Sequence, residues 1–206
     1  MDILIQRGWD MTQAKSVAVL YEEAFGEKFA CAIPLKDERI ALLADCFQPE
    51  FSFVAVENDR IVGLAGFQTP QGALTDAIGF KQLVNQLGWL RAVWACLIFA
   101  LFSRKPKQGE LVMDGIAVDR HFRSLGIGSQ LLDQLMVFAA ESGFVTIRLD
   151  VIDSNPRARK LYERKGFAAK KTEYFPYLKW LIGFSAATTM IFTITQKQTA
   201  QPKVFE

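Results

Sequence analysis

The run Asp119-Arg120-His121-Phe122-Arg123-Ser124-Leu125-Gly126-Ile127-Gly128-Ser129 has the residue types of an anion site. Glycines at 126 and 128 let the backbone come close to a ligand, and a helix starting there presents first-turn amides with no intrahelical partner. The positive end of the helix dipole acts with those amides, and Arg123 and Ser129 are further donors. A diphosphate suits this set. The supporting helix reads well, since Ile127, Leu131, Leu132, Leu135, Phe138 and Ala139 fall on one side. An R-x-x-G-x-G string alone also describes plain helix caps, so more residues must carry the assignment.

Downstream, Asn155 is placed to cap a helix that has Pro156 at its first position and Gly166 after its end. Leu161 and Tyr162 lie within it. Such residues pack helices on sheets, and the Tyr162 phenol is in addition a proton donor that stays un-ionised at neutral pH. Asp114 and Asp150 stand in predicted strands, with Glu110 a third carboxylate nearby. Each can take a proton or simply form an ion pair, and the sequence leaves both roles open.

The pair R-x-x-G-x-G over Arg123–Gly128 and N-x-x-A-x-x-L-Y-x-x-x-G-F over Asn155–Phe167, in this order, resembles the GNAT superfamily of N-acetyltransferases. The resemblance implies an α/β (α+β) fold: a mixed, mostly antiparallel sheet of about six to seven strands flanked by helices. It also implies acetyl-coenzyme A as cosubstrate. The strand ending Gly115-Ile116-Ala117-Val118 is similar to the one that pairs with the pantetheine arm just before a splay in the sheet, with Ile116, Ala117 and Val118 as contacts. Arg123, Ser124, Leu125, Gly126, Ile127, Gly128 and Ser129 match the pyrophosphate loop, although Ser124-Leu125 stands where a basic residue is frequent. Asn155 matches an asparagine near the pantetheine, and Tyr162 the position that often serves as general acid. Asp150 lines up with a glutamate similar to the base of the ribosomal-protein alanine acetyltransferases, while Asp114 lies in the strand where many other members place theirs.

The implied reaction needs such groups. An alkylamine with a pKa near 10 must lose a proton before attack, and a departing thiolate, pKa roughly 8.5, benefits from a donor. His121 stands in the same loop, where contact with the cofactor or substrate competes with plain solvent exposure.

Elements that would position these residues follow from periodicity and punctuation. Ile3–Gly8 predicts a strand, and Asp10 with Gln13 a capping box. Ala14, Val17, Ala18, Tyr21, Ala24 and Phe25 predict a first helix ended by Gly26. A second helix starts near Asp37, with Ile40, Leu43, Ala44 and Phe47 on one side. Phe51–Val56 and Ile61–Phe67 form a hairpin around Glu57-Asn58-Asp59-Arg60. Strand and helix then alternate: Leu111–Val118, Gly126–Ser142, Val145–Ile152 and Asn155–Lys165, followed by strands near Phe167–Tyr174 and Ala187–Thr195. One domain over 1–206 is expected, with the cofactor-binding region at about 109–170.

Residues 68–108 form an insertion between the third and fourth strands. Its segment Trp89–Phe102 is apolar apart from Arg91, and Arg104, Lys105 and Lys107 follow. As a helix it spans roughly 21 Å, short of the roughly 30 Å of a bilayer core, which disfavours a transmembrane span. It can pack over the substrate side of the sheet, enter a homodimer interface, or touch a membrane surface or acyl chain through the basic cluster. Phe175, Tyr177, Trp180 and Phe184 add to an acceptor site walled by apolar and aromatic groups, suited to a small hydrophobic amine as well as to a protein amine.

Composition narrows the rest. A net charge of +2 on 206 residues gives no global field pointing to nucleic acid. One histidine and three scattered cysteines, Cys31, Cys46 and Cys96, argue against a metal site and fit a reducing cytoplasm. Met1–Asp10 lacks the pattern of a secretory signal. Besides an enzyme, a non-catalytic acetyl-coenzyme A-binding module and a peripheral membrane protein are consistent with these features.

Overall fold

The computed structural model describes residues 2–102 and 105–195, so Arg104 of the basic cluster lies outside the described residues. The chain runs β1 (Leu4–Arg7), α1 (Ala14–Phe25), α2 (Lys36–Cys46), β2 (Ser52–Glu57), β3 (Arg60–Thr69), a two-residue β4 (Gly72–Ala73), α3 (Phe80–Leu87) and α4 (Trp89–Phe102). There follow β5 (Glu110–Val118), α5 (Ile127–Glu141), β6 (Thr146–Ile152), α6 (Pro156–Arg164), β7 (Ala168–Tyr174), α7 (Lys179–Ile182) and β8 (Ala186–Thr193). The sheet order is β1-β2-β3-β5-β6-β8-β7, with β4 beside β3. All neighbours are antiparallel except β5 and β6, which is the mixed sheet expected from the sequence.

Period-two alternation sends side chains to two cores. Phe53, Ala65, Phe67, Leu111, Ile147 and Leu149 meet α5 and α6 on one face, where Leu131, Leu132 and Leu135 are fully buried. Val54, Ile61, Leu64 and Ala117 meet α1 and α2 on the other. The hairpin turn places Asn58 and Asp59 at φ 47° and 61°, the left-handed values that a tight two-residue turn between twisted strands demands.

The insertion packs over the second face. Ala92, Ala95 and Ile98 of α4 are buried with Leu83 of α3 and Leu42 of α2, and Trp94 Nε1 donates to the Cys31 carbonyl at 2.8 Å. The other side of α4 is bare: Leu90 is 83% and Leu97 60% exposed, with Val93 and Trp94 between them. Among the described residues no helix is long and apolar enough to cross a membrane.

Two local expectations are modified. Asp10 does accept the Thr12 amide, but Gln13 donates through Nε2 to the Asp59 carbonyl, so it ties α1 to the hairpin instead of closing a reciprocal cap. Gly26 does follow α1, yet at φ −58° the chain tightens into a 3-10 turn, Gly26–Phe29, with no left-handed stop. Its missing side chain has another reason: a Cβ there would lie 2.2 Å from Glu22 Oε1.

That carboxylate is buried against Arg39, whose Nη2 lies 2.6 Å from Glu22 Oε1 while Nη1 donates to the Ile33 and Pro34 carbonyls. The pair therefore fixes α1, α2 and the intervening turn together. Glu22→Ala strands a buried guanidinium and is expected to cost about 3–5 kcal/mol in urea unfolding, whereas a loss within 1 kcal/mol would show that the pair is dispensable.

Candidate active site

The parallel ladder between β5 and β6 is short. It pairs Glu110 to Met113 with Thr146 to Leu149 and stops there, although β5 continues to Val118 and β6 to Ile152. A bulge accounts for the parting: Gly66 of β3 pairs with Gly115 and Phe67 with Met113, which leaves Asp114 as the extra residue on β5. Gly115 takes φ 151°, and a Cβ on it would lie 2.6 Å from Phe25 Cζ, so both conformation and space require glycine.

Past the last rung, Asp114 and Asp150 are the first residue on each diverging strand. Both are exposed and line one cavity. Asp150 accepts a 2.5 Å hydrogen bond from Thr189 of β8. Asp114 sits over Gly66, where a Cβ would be 3.6 Å from its Oδ2. Tyr21, which sequence reading treated only as helix packing, faces the same cavity; burial first, and the Asp114 charge second, push its phenol pKa up.

Backbone direction in the gap follows from one bond. The Asp119 amide donates back to the Val62 carbonyl of β3 at 2.9 Å, so by alternation the backbone groups of Ile116 and Val118 turn to the opposite edge, into the gap, while Ala117 faces β3. The Val118 carbonyl there accepts Arg123 Nε at 3.1 Å. By the same alternation the Val118 N–H faces the gap.

The loop to α5 stands on Asp119, buried, which accepts the His121 amide at 2.9 Å and lies 2.6 Å from Arg60 Nη2. Ser124 at φ 67° and Gly126 at φ 83° then swing the chain into α5. Gly126 provides no side-chain cap, and the first amide bonds back to its carbonyl come from Ser129 and Gln130. The Ile127 and Gly128 amides head the helix without an intrahelical partner. Space is open ahead of them: a Cβ on Gly126 would meet nothing within 4 Å, and one on Gly128 would only approach Ile116, Leu161 and Val118 at 3.8–3.9 Å. Donors, dipole and room therefore fit a diphosphate, with Leu125 exposed beside it.

The remaining candidates are spread around this core. Asn155 Oδ1 accepts the Ala158 amide at 3.1 Å, capping α6. Tyr162 does not line the cavity; it is buried on the α5 face against Phe167, ring centroids 5.9 Å apart, and burial raises its phenol pKa to about 12. His121 is exposed, its Nε2 accepting from Arg120. Glu110 is buried beside Arg148 at 3.2 Å at the far end of β5, away from the cavity. Among the described residues no group of three or more His, Cys, Asp or Glu is placed to hold a metal ion.

The cavity measures about 680 Å³ and spreads from the gap beneath the insertion, where Leu83 of α3 and Cys96 and Phe99 of α4 line it. Its wall was only partly visible in the sequence: Phe175 and Phe184 line it, whereas Tyr177 and Trp180 do not and are exposed. Side-chain volume at the head of α5 provides a direct test. Gly128→Val is expected to weaken coenzyme A binding, measured by isothermal titration, by about tenfold or more with the fold intact, and unchanged affinity would remove the diphosphate from this turn.

Residues 16–167 match the model of the Acetyltransferase (GNAT) family. A probable N-acetyltransferase, camello, of Xenopus tropicalis is 36% identical over 69 residues, which is 34% of this chain and 32% of that protein. N-alpha-acetyltransferase 30 of Schizosaccharomyces pombe is 29% identical over 130 residues, 63% of this chain and 65% of its own length. The chain thus spans between about a third and about two thirds of these curated relatives. A solved structure of the NatC complex bound to Gag peptide and CoA shares the fold at a TM-score of 0.61 and 17% identity, covering 95% of this chain and all of that one. With its sheet order, its parted strands and more than half its length matched, the chain belongs to the GNAT family of acetyltransferases.

Proposed function

We propose that this protein transfers the acetyl group of acetyl-coenzyme A to a primary amine of a small molecule or protein by direct attack. The observation that carries the reading is the opening between β5 and β6, which has an uncapped helix end on one side and carboxylates from both strands on the other. In it the diphosphate lies on the Gly126–Gly128 amides with Arg123 alongside, and the pantetheine arm pairs with Ile116 and Val118. Relatives of the family and a neighbour described with bound CoA support that donor.

The amine nitrogen forms its bond to the acetyl carbon as the carbon–sulfur bond breaks. Its proton passes to Asp150 or Asp114, directly or through water, since an aspartate reaches less far than a glutamate. Tyr162 gives its phenolic proton to the departing thiolate. The acceptor enters from the cavity face and the thioester from the α5 face, so base and acid approach the reacting carbon from opposite sides of the sheet.

Tyr162→Phe is expected to lower kcat by about 10²- to 10⁴-fold while coenzyme A affinity holds, read by thiol release. The pH profile adds a sign: a phenol held at about 12 stays protonated across the working range, so kcat/KM should climb as the amine loses its proton and show no descending limb below pH 10. A limb centred near pH 8–9 that vanishes in Tyr162→Phe would contradict the burial of this group.

The bare side of α4 favours a second reading, attachment to a bilayer surface. Leu90, Val93, Trp94 and Leu97 form one apolar stripe, and exposed Lys105 and Lys107 follow to meet anionic headgroups. Sedimentation with anionic vesicles should drop several-fold in Leu90→Ser with Leu97→Ser; equal sedimentation of wild type and variant would exclude this stripe as the anchor.

A further inference from the structure

The cavity beyond the two aspartates has a chemical character of its own. Toward the insertion it is walled by Phe29, Ile33, Leu42, Leu83 and Phe99, drawn from the turn after α1, from α2, from α3 and from α4. Among the described residues its charges are mostly acidic: Glu22, Asp76, Asp114, Asp150 and Glu173 line it, with Arg39 as the described cation. That guanidinium is committed: Nε and Nη2 go to Glu22, and Nη1 goes to two backbone carbonyls. Glu173 has Lys171 beside it, at 2.7 Å, but Lys171 does not line the cavity.

Resting on the transferase reading above, we infer that the acceptor is an amphiphilic primary amine: an ammonium head drawn to Asp114 and Asp150, and an apolar body lodged under α3 and α4. Two arguments select this class. A polypeptide threaded to the same depth would carry a buried N–H and C=O per residue into a wall of phenyl and alkyl groups, where each unpaired group weakens binding. A hydrophilic polyamine satisfies the acids but leaves the apolar end in contact with water alone. The cavity, about 680 Å³, falls within the roughly 300–1,000 Å³ typical of sites that enclose a compact organic molecule.

The insertion is thereby given a use. Cys96 and Phe99 lie on the cavity side of α4, so the forty-odd residues that interrupt the β3–β5 hairpin supply the apolar part of the acceptor site.

The test is a homologous series of n-alkylamines from propyl to octyl, with putrescine, glycine amide and a lysine-containing hexapeptide as the polar arm, each assayed for thiol release at saturating acetyl-coenzyme A. kcat/KM is expected to climb about threefold to fourfold per methylene until the tail meets the end of the cavity, with the polar arm at least tenfold below octylamine. Cys96→Phe shortens the cavity and should abolish the climb beyond butylamine, while coenzyme A affinity within twofold of wild type reports an intact fold. Thermal stabilisation by octylamine in the presence of coenzyme A gives a readout independent of turnover. Thiol release that is flat across the series, or strongest with the hexapeptide, overturns the amphiphile and leaves the transferase standing. Octylamine stabilisation with no thiol release from any amine keeps the binding class and overturns the transferase, and the absence of both overturns the two together.

Discussion

The parting of β5 from β6 after the Met113–Leu149 rung is the constraint on which the rest of the structure depends. A parallel pair normally continues until a strand ends, because every rung removed leaves an N–H and a C=O to be satisfied elsewhere. Here one extra residue, Asp114, and a glycine held at φ 151° turn β5 away while its other edge stays bonded to β3. The same event exposes the backbone of Ile116 and Val118 and sets two aspartates at the mouth of the opening. A bulge is the cheapest way to do both, since it re-aims one strand without unpairing its outer neighbour.

Around that opening the two faces of the sheet have divided the work. On one, α5 and α6 build the larger apolar core and present a helix end held in place by the Asp119 foot and its Arg60 partner. On the other, α1, α2 and the insertion build a chamber whose frame is the buried Glu22–Arg39 pair. Such a pair is weak evidence for stability on its own, because desolvation offsets most of its Coulomb energy. Its value lies in geometry: one guanidinium joins α1, α2 and the turn between them, and so fixes Phe29 and Ile33 in the wall.

The features that could be read from the chain alone were local ones. Arg123–Ser129 and Asn155–Phe167 are short runs in which spacing, glycine and capping act within one loop or one helix, and the structure starts α5 and α6 where that spacing puts them. Helix and strand positions were legible for the same reason: each apolar period reports the face that will be covered. What covers that face was not. The pattern of α4 did not tell which of its sides would meet α3 and which would stay bare, because nearly all its positions are apolar. Tyr21, Glu22 and Arg39 were hidden because their role comes from contacts between α1, α2 and β5. Gly26 was misread in its cause, since a glycine after a helix signals a left-handed cap far more often than room for a neighbouring carboxylate.

In the function proposed above, a diphosphate-bearing thioester enters this particular opening with its arm along β5. Backbone amide chemical shifts of the ¹⁵N-labelled protein, followed during titration with coenzyme A, address it residue by residue. The largest changes are expected on Ile116, Val118 and the amides from Leu125 to Gly128, with β1 and β2 on the far edge silent. Saturable binding that leaves those six amides unmoved, with changes confined to another surface, would contradict it.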